Sequence, residues 1–274
     1  MNVSEPVASG PNAAGRPPGA SGDLPAAGRD AAGAWPTWAA ALAGATGGLR
    51  AAGIASARTD AVLLAGHLLG ASRGRVEAMA IAGAALSERE AARYAAMVER
   101  RAGHEPLQHI VGTAAFRTLV LDVGPGVFVP RPETEMVAQL AIDLLRAAGP
   151  GALGVDLGTG TGAIALSLAV EVPDARVVAV EASGAACSFA RRNIARIAPG
   201  VRLVYGDLRA ALPGVDGAAD VVVSNPPYVP ARERPPEPEA RRDPPRALYG
   251  GPDGLAVIRV LARRAAVLVR PGGA

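Results

Sequence analysis

A strand that runs through a glycine-punctuated turn into a helix limits the fold of this chain more than any other stretch. Residues 154–169 read GVDLGTGTGAIALSLA. Val155-Asp156-Leu157 ends a strand, and residues 163–169 continue as helix. Between them Gly158, Gly160 and Gly162 let the backbone turn tightly and approach a ligand closely. Further strands are expected over 176–180, ending at Glu181, over 201–205, ending in Gly206-Asp207, and over 221–223. This alternation of strand and helix predicts a doubly wound α/β domain.

The last of these strands meets the most abrupt stop in the chain. Val221–Val223 is apolar and β-branched and runs into Asn225-Pro226-Pro227-Tyr228. Two prolines cannot continue a strand, and each holds the residue before it extended. The Asn225 amide, the Pro226 carbonyl and the Tyr228 ring are therefore held at the carboxyl end of the sheet, where open α/β folds bind ligands. An amide oxygen beside a backbone carbonyl makes two acceptors, suited to both hydrogens of one –NH2 group.

The glycine loop alone leaves two readings even. Gly158-Thr159-Gly160-Thr161-Gly162-Ala163 satisfies the dinucleotide pattern, and Glu181, about 20 residues on, suits a ribose in either case. Two features separate a dehydrogenase from a methyltransferase. Asp156 ends its strand where a carboxylate faces a cationic ligand better than a pyrophosphate, and N-P-P-Y has no part in hydride transfer. Both favour S-adenosylmethionine, whose sulfonium is positive, and Glu181, Asp207 and Asn225 stand with the loop at successive strand ends. Asn225, Pro226, Pro227 and Tyr228 would hold the substrate, with Asn225, Pro226 and Tyr228 as the catalytic set.

Before this domain the character changes twice. Residues 1–34 are rich in Gly, Pro and Ala and are expected to be a disordered tail. Residues 35–103 have helical spacing and predict a small helical domain, with Thr59 as the N-cap of one helix and a Ser87/Glu90 capping box opening another. Residues 104–131 predict a β-hairpin linker with a turn at Gly124-Pro125-Gly126, and residues 132–274 the methyltransferase domain. His67 is read as a core residue. His104 and His109 lack a third ligand at metal spacing, so no metal is expected. All 28 basic residues are arginine, and the net charge of +3 is spread along the chain, so nucleic acid is not expected as a direct substrate. The single cysteine, Cys187, reads as a small apolar filler on a helix. With no membrane span and no signal pattern, a cytoplasmic monomer is expected.

With these residues in place, the chain resembles the HemK/PrmC family of protein-(glutamine-N5) methyltransferases that modify peptide-chain release factors. The resemblance covers about residues 36–274. It rests on TDAVLLAGHLLGASR (59–73), PLQHIVG (106–112), VPRPETE (129–135), the glycine loop, SNPPYVP (224–230) and ALYGGPDGL (247–255). It implies methyl transfer to a glutamine in the GGQ loop of a release factor, contacted by the helical domain. It also implies that Asp156, Gly158, Thr159, Gly160, Glu181, Asp207 and Asn225 hold the cofactor, with Asp156, Gly158 and Gly160 on its methionine side, Glu181 on the ribose and Asp207 on the adenine side, and that Phe128, Arg131, Pro132, Glu133 and Thr134 close over the site. His109 stands where the family usually has Tyr, and Asp243-Pro244 where it usually has Glu-Pro. The family also continues into further strands after Pro271-Gly272-Gly273, so the sheet is expected to be incomplete at its C-terminal side. Val221–Val223 would then be a bare edge, and little activity is expected. The alternatives are N6-adenine methylation of DNA or RNA, and a non-catalytic binding module.

Overall fold

The computed structural model describes residues 35–210 and 212–274. The expected tail, 1–34, lies outside the described residues. Helices α1 (Trp38–Ala51), α2 (Ala57–Leu69), α3 (Arg73–Ile81) and α4 (Glu88–Ala102) bury their apolar faces in one cluster around Trp38, Leu42, Leu49, Leu64, Tyr94 and Val98. The Trp35 and Trp38 rings stand edge-on to Tyr94 at 5.7 and 5.5 Å, the arrangement that ring quadrupoles favour. The Tyr94 hydroxyl donates to the Ala61 carbonyl at 2.8 Å, so its burial leaves no polar atom unpaired. The expected capping box opens α4: Ser87 Oγ accepts the Glu90 N–H, and the Glu90 carboxylate accepts the Ser87 N–H.

Two expectations fail in this unit. Thr59 does not cap α2, which begins at Ala57 after Ser56. That earlier start sets Asp60 in the first turn, where its carboxylate is buried against Arg101 Nε at 2.7 Å. His67 is not a core residue. The buried stripe of α2 runs through Ala61, Val62, Leu64 and Ala65, which turns His67 and Leu63 to solvent.

A short helix that the sequence pattern did not show, α5 (Leu107–Val111), adds Ile110 to the same cluster. Strands β1 (Thr113–Phe116) and β2 (Leu119–Asp122) then form the expected antiparallel hairpin, which turns at Arg117 with φ +52°. The Gly124-Pro125-Gly126 turn follows the hairpin rather than closing it, with Val127 N–H donating to the Gly124 carbonyl.

Helix α6 (Pro132–Ala148) begins with Pro132 and carries Glu133 and Glu135 in its first turn. A missing N–H costs nothing at that position, and acids meet the positive end of the helix dipole. The sheet follows: β3 (Leu153–Leu157), α7 (Ala163–Glu171), β4 (Arg176–Glu181), α8 (Gly184–Ile197), β5 (Arg202–Tyr205) and β6 (Val221–Val223). All neighbours are parallel in the order β5-β4-β3-β6, as the alternation predicted. Ile142, Leu145, Leu166, Leu168, Val177 and Ile194 pack one face of the sheet. After α9 (Pro245–Leu248), helix α10 (Ala256–Leu268) covers the other through Leu268 and Leu261. Cys187 is buried on α8, as expected.

β6 is the sheet edge, but it is not bare. Val222 N–H donates to the Ala274 carbonyl at 2.8 Å, and Ala274 N–H to the Asp220 carbonyl at 3.0 Å, so the last residues run alongside the strand. Among the described residues no helix is long and apolar enough to cross a membrane.

Candidate active site

A cavity of about 370 Å³ opens at the carboxyl ends of β3, β4 and β6. Asp156–Thr161, Glu181–Ser183, Gly206–Arg209 and Ser224–Val229 line it, with Phe128 and Thr134 on the hairpin side. Every residue singled out in the sequence as binding cofactor or substrate therefore lines one space. Parallel strands all end at the same edge, and the chain leaves each of them there.

The glycine loop needs its glycines. Gly158, Gly160 and Gly162 have φ of +78°, +59° and +88°, which side-chain-bearing residues rarely adopt. Gly158 and Thr159 both donate N–H bonds to the Val180 carbonyl, which fastens the loop to β4. Asp156 is fully buried beneath it. Its Oδ2 accepts the Thr159 hydroxyl at 2.6 Å and the Ala165 N–H at 3.1 Å, whereas its Oδ1 has no partner. Burial pushes the Asp156 pKa up to about 6, opposed by those two hydrogen bonds. A buried acceptor with no partner is costly, and its place on the cavity wall suits a ligand that supplies a charged donor.

Glu181 is fixed by its neighbours. Oε2 accepts the Gly160 N–H at 2.8 Å and Oε1 the Ser183 N–H at 2.7 Å. Each oxygen keeps a further lone pair, so the carboxylate could receive both hydroxyls of a ribose without moving. Asp207 sits at the rim, where Oδ1 accepts the Arg209 N–H at 2.9 Å. Three carboxylates thus line the cavity, and the nearby Arg209 guanidinium lies 3.8 Å from one of them. A pyrophosphate would meet a negative wall there, while a ligand bearing a sulfonium and an ammonium meets a favourable field. The residues present fit S-adenosylmethionine.

At the opposite end, Ser224 Oγ donates to the Leu157 carbonyl at 2.5 Å and ties the exit of β6 to that of β3. Asn225 Nδ2 donates to Thr134 Oγ1 at 2.9 Å. Among the described residues, neither Asn225 Oδ1 nor the Pro226 carbonyl receives a hydrogen bond. The Tyr228 side of the cavity is open, with that residue 64% exposed.

Sequence reasoning quoted ALYGGPDGL only as a likeness and missed what it does. Val229 N–H donates to the Leu248 carbonyl, Gly250 N–H to Val229 and Ala231 N–H to Gly251, so this loop lies directly behind N-P-P-Y. A methyl group on Gly250 would come within 2.7 Å of the Pro227 carbonyl oxygen, and one on Gly254 within 2.3 Å of the Tyr228 oxygen. The repeated glycines were the available signal; the backbone they press against was not visible.

Of the two departures from the family pattern, one is held by side-chain bonds and the other is buried with one ring nitrogen unpaired. Asp243 is buried, with Oδ2 accepting Arg131 Nη2 at 2.5 Å and Oδ1 the Val129 N–H at 3.4 Å. Burial raises its pKa against the pull of the Arg131 charge. Arg131 in turn stands over the Phe128 ring at 5.1 Å. His109 is buried too, its Nε2 has no partner, and burial lowers its pKa. The strap 231–244 is also fastened to the helical unit. Glu239 accepts Arg101 Nη2 at 2.9 Å, and Arg242 Nη2 donates to the Gly103 carbonyl at 2.7 Å. Arg241 turns back onto the Pro235 carbonyl. Arg241 and Arg242 thus fasten the strap.

Two family models match the chain: the PrmC N-terminal domain over residues 40–112 and the methyltransferase small domain over residues 118–236. The chain is 48% identical over 244 residues to the release factor glutamine methyltransferase of Mycolicibacterium smegmatis, covering 85% of this chain and 81% of that one. It is 51% identical over 237 residues to the protein of the same name from Streptomyces coelicolor, covering 85% and 82%. A 4-amino-L-phenylalanine/4-methylamino-L-phenylalanine methyltransferase of Streptomyces pristinaespiralis is 44% identical over 245 residues, covering 87% and 81%.

Proposed function

The chain belongs to the release factor glutamine methyltransferase family, and from that premise we propose that it methylates the side-chain amide nitrogen of a glutamine in a peptide-chain release factor, with S-adenosylmethionine as donor. We further propose that the glutamine is that of the GGQ loop, that the helical unit of residues 35–103 contacts the factor, and that the enzyme works as a cytoplasmic monomer. The observation that carries the reading is Asn225: its –NH2 is taken up by Thr134, its oxygen receives no hydrogen bond, and it lines the cavity that the glycine loop shares.

An amide nitrogen is a weak nucleophile because its lone pair is delocalised into the carbonyl. Next to Asn225 the hydrogen-bonding neighbour is the Thr134 hydroxyl, which is no base at neutral pH. Positioning is the remaining route. Asn225 Oδ1 and the Pro226 carbonyl accept the two N–H bonds of the glutamine, which favours a pyramidal nitrogen whose lone pair faces away from them. Tyr228 packs against the amide plane. Asp156 offers its free oxygen to the donor's ammonium, Glu181 takes the ribose hydroxyls, and Asp207 takes the adenine side. Bound there, the cofactor would supply an electrophilic methyl group on a sulfonium; the carbon–sulfur bond breaks as the carbon–nitrogen bond forms, and the nitrogen gives up one proton to solvent, leaving a neutral N-methyl amide. Alignment supplies much of the rate, since effective molarities for well-oriented groups reach about 10⁵ M or more.

A second reading comes from the Streptomyces pristinaespiralis relative, whose name gives an aromatic amine as substrate. An arylamine –NH2 is also conjugated to a π system and suits the same pair of acceptors. Labelled S-adenosylmethionine offered separately with release factor, bulk tRNA, duplex DNA and 4-amino-L-phenylalanine separates these readings. Label stable in the release factor, and lost when its GGQ glutamine is changed, is the expected result. Label in nucleic acid or in the free amino acid alone would overturn it.

A further inference from the structure

We infer that Asn193 is a positioning residue for the cofactor, holding the glycine loop and the exit of the hairpin at a fixed separation; the inference rests on the cofactor reading above. Asn193 stands on α8, does not line the cavity and is fully buried. Its Nδ2 donates to the Thr161 carbonyl at 2.9 Å and to the Asp122 carbonyl at 3.1 Å. Its Oδ1 accepts the Asp122 N–H at 2.7 Å and Arg196 Nη2 at 3.2 Å. Backbone carbonyls only accept, and backbone and guanidinium N–H groups only donate. The amide therefore has one orientation, with both hydrogens and the oxygen in use.

Each arm of this clamp leads to the cavity. Thr161 belongs to the glycine loop and lines the cavity itself. Asp122 closes β2, and the chain runs on from it to Gly126, Val127 and Phe128, which line the cavity too. The loop depends on such bonds because Gly158, Gly160 and Gly162 leave its backbone many conformations in the free chain. The Val180 carbonyl and Glu181 hold it from the β4 side, where they accept Gly158, Thr159 and Gly160. Asn193 holds it from α8, at the residue between Gly160 and Gly162. A loop that spends less time in the binding conformation takes its ligand more weakly in the same proportion.

Asn193→Ala removes the clamp. Asn193→Asp keeps its volume and the acceptor for the Asp122 N–H, but sets an oxygen against the two carbonyls. In both full-chain variants the calorimetric Kd for S-adenosylmethionine and for its demethylated product should rise about tenfold, as for one neutral hydrogen bond. KM for the cofactor should rise with it, while kcat at saturating cofactor stays within about twofold. Amide exchange gives a reading that needs no ligand: Gly160 and Gly162 should exchange faster in the variants, by a larger factor than the amides of α6. An unchanged Kd overturns the inference. So does a rise in exchange of one size across the loop and α6, which marks a general loss of stability. If neither variant folds, Asn193 serves the fold rather than the loop, and the inference fails as well. A wild-type chain that binds no S-adenosylmethionine overturns the functional reading and this role together. One that binds it but methylates no glutamine overturns the glutamine reading alone, and the Kd comparison decides the role of Asn193 as before.

Discussion

Gly254 offers a test of whether the loop behind N-P-P-Y shapes the site. In Gly254→Ala the new methyl would lie 2.3 Å from the Tyr228 carbonyl oxygen, where ordinary contact begins at 3.4 Å. The neighbour is backbone, so it has to move by about 1 Å. The residue also has φ +77°, which adds roughly 1–2 kcal/mol of strain for alanine. Overpacking contributes about 1–3 kcal/mol more, so stability should fall by about 2–5 kcal/mol. A shift of that size, three residues from Asn225, should lower kcat on the order of a hundredfold. Gly70→Ala is the control for strain alone: φ is +60°, with nothing within 4 Å of the added carbon. It should lose roughly 1–2 kcal/mol and keep its kcat. Thermal melts and methyl-transfer rates on the two variants decide the matter. If Gly254→Ala melts with Gly70→Ala and keeps a wild-type rate, the loop does not brace the substrate segment.

Asn225→Ala should bind S-adenosylmethionine nearly as the wild type does, yet lose on the order of a hundredfold in kcat, as for an acceptor needed chiefly in the transition state; unchanged turnover would remove it from the catalytic set. Glu181→Ala should weaken S-adenosylmethionine and its demethylated product alike in calorimetry, because both carry the ribose and because Gly160 and Ser183 lose their anchor. The raised pKa of Asp156 means that its contribution to stability is complete below pH 3.8 and lost as pH rises through about 6. Asp156→Asn should therefore flatten the Tm–pH curve over that interval and weaken cofactor binding at pH 8; parallel curves for the two proteins would refute the burial argument. Arg101→Met leaves the Asp60 carboxylate buried without its partner and should cost about 3–5 kcal/mol, part of it recovered by adding Asp60→Asn. A chemical denaturation series on the single and double variants measures this.

The sequence alone was enough for the order of the four parallel strands and the helices between them, because β4 and β6 are short β-branched runs and the chain leaves β3, β5 and β6 through glycine or proline. It was enough too for the residues around the cavity, since parallel strands must deliver their exits to one edge. The Ser87/Glu90 box and the start of α6 at Pro132 were legible for the same reason: local backbone chemistry acts over three or four residues. Contacts between distant segments were not legible. Thr59 looked like a cap until Asp60 found Arg101, His67 looked apolar until the stripe of α2 turned it outward, and α5 has too few residues to show a period. The pairing of Thr134 with Asn225, the pressing of Gly254 on Tyr228 and the fastening of the strap by Arg101 and Glu239 each join residues far apart along the chain. No local propensity encodes such a contact. It exists because a folded core brings two fixed backbones within hydrogen-bond reach, and that distance is a property of the whole packing rather than of either segment.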